Sequence, residues 1–260
     1  MNLFRLDNKV AVVTGAGSGI GQAIAKCFAA QGAAVHVVEL NEDGGKGTVE
    51  EIKAAGGQAT VHACNVALQE DVVKTMDNIV ATAKRIDILV NCAGIAHIGK
   101  LETTSESDFD RVFQVNVKGA YNCMYAVIKQ MKAQGGGVIL NVASIAATVG
   151  IPDRFAYSMS KGAVLTMTLS VAKDYINDNI RVNCISPARV HTPFVDGFLQ
   201  KNYPGREQEM FEKLSKTQPI GRMAKPDEVA WLSLYLCSEQ AGFITGCDYP
   251  IDGGFIKLNN

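Results

Sequence analysis

One stretch of eight residues, Thr14–Gly21 (TGAGSGIG), constrains this chain more than any other part of its sequence. An apolar run at 10–13 precedes the stretch, and a helical pattern of apolar residues follows it. A strand, a glycine turn and a helix N-terminus in this order present free N–H groups to an anion, and glycines let a pyrophosphate approach closely. The alternative is an ordinary glycine-rich turn. The turn residues expected to contact a dinucleotide are Gly15, Ser18, Gly19 and Ile20.

Strand-like and helical patterns alternate along the whole sequence. Apolar runs predict strands at 9–13, 34–39, 59–63, 87–91, 136–142, 180–185 and 245–250. Periodic segments predict helices at 20–31, 45–55, 68–84, 105–132, 155–177, 207–216 and 226–237. Several strands are apolar throughout, as is typical of parallel strands buried on both faces. The alternation predicts an α/β fold, with a parallel sheet covered by helices, and the short connections predict a single domain over 1–260.

Composition excludes several classes of protein. The formal net charge is −1 and no Lys/Arg run stands out, so we predict no nucleic-acid partner. We see no secretory signal and no apolar run of membrane-spanning length, so we expect a cytoplasmic protein without a membrane partner. The seven cysteines are scattered and never form C-x-x-C, which favours free thiols and predicts no metal site.

An acidic residue ends the second predicted strand. Glu39 lies near the position, ~20 residues after such a glycine turn, at which dinucleotide-binding folds place a carboxylate on the adenosine ribose. That carboxylate would accept hydrogen bonds from ribose hydroxyls and repel a 2′-phosphate, and no Arg or Lys stands beside it. The sequence therefore predicts NAD rather than NADP as the cofactor. The alternative is a solvated glutamate at a strand end.

Small residues end the fourth predicted strand in the segment NCAG at 91–94. Ligands of doubly wound sheets lie over the carboxyl ends of the strands, and a turn of small side chains leaves room for a dinucleotide. We therefore expect Asn91, Ala93 and Gly94 to lie against the cofactor.

A serine, a tyrosine and a lysine carry the chemistry. Ser144 closes the fifth predicted strand, and Tyr157 and Lys161 follow at i and i+4, on one face of the next helix. A free phenol has a pKa of about 10, and an adjacent ammonium favours the phenolate, which accepts a proton. We predict that the tyrosine takes the substrate's hydroxyl proton while hydride passes to the nicotinamide, and that the serine positions the substrate oxygen.

The tyrosine–lysine spacing alone is not specific. Tyr125 and Lys129 repeat it, but no serine ends a strand just before them. We interpret this second copy as structural.

These motifs resemble the short-chain dehydrogenases/reductases over essentially the whole chain, in the order and at the spacing of that family. The matching segments are TGAGSGIG at 14–21, NCAG at 91–94, NVKG at 116–119, Ser144, YSMSK at 157–161, RVNCISP at 181–187 and IDGG at 251–254. The resemblance implies a doubly wound Rossmann fold with a seven-stranded parallel sheet. It also implies an oxidoreductase that interconverts a secondary alcohol and a ketone.

The resemblance adds site residues. It implies that Asn116 completes a tetrad with Ser144, Tyr157 and Lys161, and that the lysine also holds the nicotinamide ribose; taken alone, Asn116 is an asparagine inside a helix. Further cofactor contacts that the resemblance implies are Asn65, Val66, Pro187 and Val190. Two positions depart from the family pattern. Asn65 replaces an aspartate, so we expect weaker anchoring of the adenine, and Ala188 replaces a glycine near the nicotinamide.

The segment 187–222 is predicted to be a substrate lid, because it inserts aromatic and charged residues after the sixth strand. The alternative is a surface helix-turn in a subunit contact. Polar residues expected at the substrate, together with Ser144 and Tyr157, are His97, Arg154, Arg189 and His191.

The stretch DRFAY at 153–157 resembles the family branch that includes 3-hydroxybutyrate and 2-keto-3-deoxy-sugar-acid dehydrogenases. An arginine can hold a carboxylate in a bidentate fork, and Arg154 lies three residues before Tyr157. We therefore expect a hydroxy acid or sugar acid as the substrate. The alternative is an arginine that is solvated or in an intersubunit ion pair.

Other functions and the assembly remain open at this point. An NADPH-dependent 3-oxoacyl thioester reductase is disfavoured by Glu39 and by the charge balance, and a non-catalytic NAD-binding regulator would lack a tetrad residue. Apolar residues occupy more than one side of the predicted helices 105–132 and 155–177. Together with the resemblance, this predicts a homotetramer, with purely internal packing as the alternative.

Overall fold

The structure, a computed structural model, describes residues 3–258. Its strands are β1 (Val10–Thr14), β2 (Ala34–Glu39), β3 (Gln58–Ala63), β4 (Ile88–Asn91), β5 (Gly137–Val142), β6 (Ile180–Pro187) and β7 (Asp248–Ile251). All neighbouring pairs are parallel, and the strands form one sheet in the order β3-β2-β1-β4-β5-β6-β7. The predicted seven-stranded, doubly wound α/β fold is therefore confirmed.

Helices cover both faces of the sheet. They are α1 (Gly19–Ala30), α2 (Glu42–Ala54), α3 (Gln69–Ala83), α4 (Glu106–Val112), α5 (Gly119–Ala133), α6 (Phe155–Asp174), α7 (Pro193–Asn202), α8 (Glu207–Ser215), α9 (Pro226–Cys237) and α10 (Phe255–Leu258). No helix within residues 3–258 combines the length and the apolarity that crossing a membrane requires.

The sheet separates two apolar layers. On one side, alternate residues of the strands pack with α1 and α9, as Val13 does with Phe28 and Leu234. On the other side, the intervening residues pack with α3 and α5, as Val12 does with Met76. Because each central strand is buried on both faces, most of its positions are apolar, and its polar residues, such as Asn91 and Asn141, lie near its carboxyl end.

The strand order places the site. From β1, the chain adds β2 and β3 on one side of the sheet. It then returns and adds β4 to β7 on the other side, so the direction in which strands are added reverses between β1 and β4. The register aligns Thr14 with Asn91, and Asn91 with Asn141, so the strands end at a common edge. A crevice opens at such a reversal, outside the carboxyl ends of the strands.

The helical pattern differs from the prediction in three places, one of which is the unpredicted short helix α10. The predicted helix 105–132 is interrupted by a π-helical segment, Phe113–Lys118, between α4 and α5. Helix α7 was not predicted, because the segment 187–222 was interpreted from its composition; its first turn contains Pro193 and its only buried residue among those described is Leu199. The last strand also begins later than predicted, since Gly246 has a φ of +68°, which an extended strand does not adopt.

Two histidines meet at the β2–β3 edge of the sheet and make stability depend on pH. His36 Nδ1 lies 2.8 Å from His62 Nε2. Burial, and then the neighbouring His62, lower the pKa of His36 from 6.5 to about 4, and burial also lowers the pKa of His62. The unfolded chain therefore binds more protons than the folded one in this window, so stability is lost as the pH falls.

We expect the free energy of unfolding to decrease by up to about 3 kcal/mol through His36 as the pH falls from 6.5 to about 4. Urea unfolding at several pH values would measure this decrease. His36→Phe should flatten the curve, whereas the control His191→Gln, at an exposed histidine, should leave it unchanged. Equal pH dependence in wild type and His36→Phe would contradict the assignment.

Candidate active site

The backbone of the glycine turn after β1 lies very close to neighbouring backbone, which only glycine allows. Gly15 and Gly19 have φ values of +66° and +56°, which favour glycine. A Cβ on Gly15 would lie 2.8 Å from Ala93 Cα, and one on Gly21 would collide with the Gly15 carbonyl oxygen. Ser18 is the N-cap residue of α1, and its side chain accepts no hydrogen bond from the first turn. The N–H groups of the helix N-terminus are therefore not capped by this side chain, an arrangement that fits the pyrophosphate of a dinucleotide.

Glu39 leans over this turn from the end of β2. Its Oε1 accepts a hydrogen bond from Gly17 N–H at 2.6 Å, and its Oε2 accepts a longer one from Leu40 N–H at 3.3 Å. The carboxylate is thus fixed at the mouth of the crevice and keeps lone pairs for the hydroxyl groups of a ribose. Asn65 lies at the end of the adjacent strand, where its Oδ1 accepts from Ala67 N–H at 3.1 Å. That oxygen keeps one lone pair for the adenine bond, which stays a prediction.

The turn after β4 is held by Thr14 and Asn91. Thr14 Oγ1 accepts hydrogen bonds from the N–H groups of Cys92 and Ala93, both at 3.1 Å. Asn91 turns into the sheet, where its Nδ2 donates to Asn141 Oδ1 at 2.8 Å. The side chain of Asn91 therefore shapes the floor of the crevice, while Ala93 lies directly against the glycine turn.

Lys161 and Tyr157 share one face of α6, as predicted from their spacing. The Lys161 side chain is buried, with 6% of the residue exposed, and its Nζ donates to Val142 O at 2.8 Å. The same Nζ lies 5.7 Å from the centre of the Tyr157 ring. Tyr157 is half-buried, so its phenol is accessible from the crevice. The ammonium is therefore fixed beside the phenol by the end of β5.

The second tyrosine–lysine pair is different. Tyr125 is 54% exposed on the outer face of α5, where its ring lies 5.9 Å from that of Tyr121. It lies away from the carboxyl edge of the sheet, which agrees with the structural interpretation of this copy.

Ser144 lies where β5 and β6 end side by side. Its Oγ accepts a hydrogen bond from Ala146 N–H at 3.2 Å and donates a long one to Pro187 O at 3.5 Å. The residue is buried, with 8% exposed. A hydroxyl held by one long bond can be redirected to a substrate oxygen in the crevice.

Asn116 joins the loop after β4 to the catalytic helix. Its Oδ1 accepts from Ile95 N–H at 2.8 Å, and its Nδ2 donates to Ile95 O and to Ser160 Oγ, both at 2.9 Å. A Cβ on Gly94 would lie 3.2 Å from Asn116 Oδ1 and 3.6 Å from Lys161 Nζ. Residue patterns missed Asn116, which only the family resemblance indicated. Its one structural signal is the π-helical segment, a feature frequent at functional sites.

The remaining predicted cofactor residues lie along the same edge. Val66 packs against Gly119 at the start of α5, Pro187 ends β6, and Val190 forms an isolated parallel bridge with Ala224. The departure at Ala188 introduces no strain, since this residue is not among those with positive φ. These contacts stay predictions.

A backbone bridge links the segments that carry two predicted substrate residues, Arg154 and His97. Arg154 is the N-cap residue of α6 and forms a parallel bridge with Gly99, in the loop that carries His97. His97 Nε2 lies 3.6 Å from Asp108 Oδ2, and its Nδ1 is buried without a hydrogen-bond partner among the described residues. The bridge therefore brings the loop that carries His97 beside the start of α6, the helix that carries Tyr157, and the roles of Arg154 and His97 toward a substrate stay predictions.

The other two predicted substrate residues, Arg189 and His191, belong to the segment 187–222. Arg189 Nε donates to Thr217 Oγ1 at 3.1 Å, and the guanidinium borders a neighbouring cleft. His191 Nε2 lies 2.8 Å from Asp196 Oδ1, and its ring packs edge-on against Phe211 at 4.8 Å. His191 therefore ties α7 to α8, and its role toward a substrate stays a prediction.

Comparisons with known proteins agree with this geometry. A family model described as Enoyl-(Acyl carrier protein) reductase matches residues 15–256. D-threitol dehydrogenase of Mycolicibacterium smegmatis is 40% identical over 252 residues, 97% of this chain and 94% of the relative. An uncharacterized oxidoreductase of Thermotoga maritima is 44% identical over 250 residues, 95% of this chain and 97% of the relative.

The fold has solved counterparts. L-sorbose reductase from Gluconobacter frateurii, complexed with NADPH and L-sorbose, matches with a TM-score of 0.94 at 31% identity, over 99% of this chain and 100% of that one. The chain therefore belongs to the short-chain dehydrogenase/reductase family. As in that family, it is a nicotinamide-dependent oxidoreductase that interconverts an alcohol and a ketone.

Proposed function

We propose that this enzyme is an NAD-dependent dehydrogenase whose substrate is a hydroxy acid or sugar acid. The observation that carries the reaction is the Lys161 ammonium fixed 5.7 Å from the centre of the Tyr157 ring, at the carboxyl edge of the sheet. In this proposal the bound dinucleotide supplies the hydride acceptor. Tyr157, as phenolate, takes the proton of the substrate hydroxyl, and Ser144 donates a hydrogen bond to the same oxygen. Reduction of the ketone reverses these transfers.

Lys161 and Asn116 support this chemistry without touching the substrate oxygen. The ammonium places a positive charge beside the Tyr157 ring and keeps donors for a ribose, because Val142 O accepts only one of its three N–H bonds. Asn116 holds the loop at Ile95 against α6 and so keeps the two walls of the crevice at a fixed separation. We assign Asn116 as a positioning residue.

The preference for NAD is inferred from Glu39. A carboxylate fixed to Gly17 N–H would accept ribose hydroxyls and repel a 2′-phosphate. L-sorbose reductase binds NADPH in its crystal structure, so this part of the proposal separates the present chain from that relative. The ratio of kcat/KM with NAD to that with NADP tests it directly, and a preference for NADP would contradict it.

An acid substrate is inferred from Arg154. The arginine stands one helical turn before Tyr157, and its Nη1 donates only to the adjacent Asp153 O at 2.9 Å. Its remaining N–H groups can hold a carboxylate beside the reacting carbon. A panel of hydroxy acids, sugar acids, polyols and cyclic alcohols with NAD, followed at the NADH absorbance, would identify the class.

Replacing this arginine gives the sharper test. We expect Arg154→Met to raise KM for the best acid substrate by at least about tenfold, the loss of one charge-assisted hydrogen-bond pair, while the Kd for NADH stays unchanged. Arg5→Met, at an exposed arginine paired with Asp7, is the matched control and should leave KM unchanged. An unchanged KM in Arg154→Met would contradict the proposed contact between Arg154 and the substrate carboxylate.

A 3-oxoacyl thioester reductase is the second candidate, favoured by the similarity to a 3-oxoacyl-[acyl-carrier-protein] reductase of Thermotoga maritima, which is 36% identical over 252 residues. It would use NADPH and act on an acetoacetyl thioester, which belongs in the same panel. A non-catalytic regulator would bind NADH without turning over any member of the panel.

We also propose a homotetramer. Apolar side chains remain exposed on the outer faces of the π-helical segment, α5 and α6, where a second copy would cover them. They are Phe113 (39% exposed), Tyr121 (44%), Tyr125 (54%) and Leu169 (47%). Light scattering after size exclusion measures the mass, and a monomer would contradict the proposal.

A further inference from the structure

A second cleft opens beside the carboxyl ends of β6 and β7, and none of the four tetrad side chains lines it. Its volume is about 190 Å³, which suits a small organic molecule. The polar side chains that line this cleft belong to Arg189, Gln218, Arg222, Glu228 and Asp252. We call it the Arg189–Gln218 cleft.

Gln218 presents a buried acceptor to this cleft. The residue is 3% exposed, and its Oε1 has no hydrogen-bond partner among residues 3–258. The orientation of the amide follows from its neighbour. Thr217 Oγ1 donates to Leu214 O at 2.6 Å, so it can only accept from Gln218, whose Nε2 lies 3.0 Å away. A buried acceptor of this kind normally has a partner, so the Oε1 is available to a donor in the cleft.

Most of the charges around the cleft are already satisfied. Arg222 forms a two-bond fork with Glu228, with both N···O distances at 2.7 Å. The Asp252 carboxylate accepts from Gly254 N–H at 2.9 Å and from Ile256 N–H at 2.8 Å. Arg222 and Glu228 therefore cancel each other's charge, whereas Asp252 keeps its negative charge, which two backbone N–H groups stabilise.

Arg189 is the exception. Only its Nε is bonded, to Thr217 Oγ1, and no carboxylate of residues 3–258 lies within ion-pair distance of it. Burial and the nearby charge of Arg154 both lower the pKa of Arg189. A partly buried cation with free donors and a second cation nearby attracts an anion, and the planar fork suits a carboxylate.

We propose that the Arg189–Gln218 cleft binds a small hydroxy carboxylate, whose carboxylate pairs with Arg189 and whose hydroxyl donates to Gln218 Oε1. A ligand that pairs with both Arg189 and Gln218 must carry a carboxylate and a hydroxyl on one molecule. The site thus differs from the carboxylate contact proposed at Arg154 and does not depend on turnover.

Calorimetric titration of the Arg154→Met variant without dinucleotide tests this site, because that background removes the proposed substrate contact and allows no reaction. Three probes share a carbon skeleton of three atoms: glycerate carries both groups, propionate only the carboxylate and glycerol only hydroxyls. We expect glycerate to bind with one site per chain, at least about tenfold more tightly than either of the others.

Second substitutions in the same background locate the site. Arg189→Met and Gln218→Met should each weaken glycerate binding by about tenfold or more. Arg206→Met, at an exposed arginine paired with Glu209 outside the cleft, should leave it unchanged. Gln218→Met should also raise the Tm, because methionine removes an unpartnered buried acceptor, and this separates lost binding from lost folding. If Arg189→Met unfolds, Arg189→Lys keeps the charge without the planar fork and should weaken glycerate and propionate alike, whereas Gln218→Met should bind the two almost equally.

Three results would overturn the proposal: no saturable heat with glycerate, equal binding of propionate, or unchanged binding in both Arg189→Met and Gln218→Met. None of these depends on which substrate is oxidised. Failure of the proposed function would instead show as an unchanged KM in Arg154→Met.

Discussion

Replacing Tyr157 by phenylalanine is expected to lower kcat on the order of 10³-fold, while the Kd for NADH changes little. The change removes only the phenolic oxygen, which in the proposed mechanism takes and returns the substrate proton. The ring stays in place, so Lys161 keeps its bond to Val142 O and the crevice keeps its shape. Steady-state rates at the NADH absorbance and fluorescence titration of NADH give the two numbers.

The chain supplies its own control for this experiment. Tyr125→Phe makes the same chemical change in the second tyrosine–lysine pair, on the exposed face of α5, and should leave kcat unchanged. Turnover of Tyr157→Phe within about tenfold of wild type would assign the proton to another group. A parallel loss of NADH binding would indicate a structural role for the phenol instead.

Replacing Glu39 by glutamine is expected to shift cofactor preference toward NADP. Glutamine keeps an acceptor oxygen for Gly17 N–H and for the ribose hydroxyls, so the variant removes little besides the negative charge. Loss of that charge should lower the ratio of kcat/KM for NAD to kcat/KM for NADP by roughly 10- to 100-fold, mainly through better use of NADP. The repulsion is electrostatic and the carboxylate lies at the surface, so the shift should shrink as salt is added.

Glu42→Gln is the matched control, because Glu42 lies in the first turn of α2, just after the strand end that carries Glu39. It removes the same charge from the same region without touching the glycine turn. If the ratio of kcat/KM for NAD to kcat/KM for NADP changed equally in both variants, the cofactor preference would come from the overall charge of this surface and not from Glu39 in particular. An unchanged ratio in Glu39→Gln would contradict the assignment of Glu39.

The sheet and much of the crevice could be predicted from the sequence because their signals are local. The strand–glycine–helix order at 10–28 predicted the turn that β1, Gly15 and α1 form, since φ sign and helix direction are decided by neighbouring residues. The i, i+4 spacing likewise predicted that Tyr157 and Lys161 share a face. Helix α7 was not predicted, because its single buried residue, Leu199, gives almost no apolar periodicity.

Only part of the candidate site could be predicted from such local signals. Asn116 has no periodic signal, and its importance lies in bonds to Ile95 and Ser160, which are 21 and 44 residues away in sequence. The predicted substrate residues illustrate the same limit. The bridge at Gly99 joins the loop that carries His97 to the backbone of Arg154, whereas His191 turns toward Asp196. Composition cannot separate these cases, because the direction of a side chain depends on which distant segment packs beside it.

By itself, the sequence determined the alternation of strands and helices, the glycine turn after β1, the acidic strand end at Glu39 and the spacing that puts Tyr157 and Lys161 on one helix face. Each is decided within about one turn or one strand by backbone sterics, periodicity and glycine content. Only the tertiary structure decided that Lys161 is anchored to Val142 O, that Asn116 joins two walls, and that Arg189 and Gln218 share a cleft. These contacts join segments far apart in the chain, and their geometry exists only once the sheet has brought the strand ends to one edge.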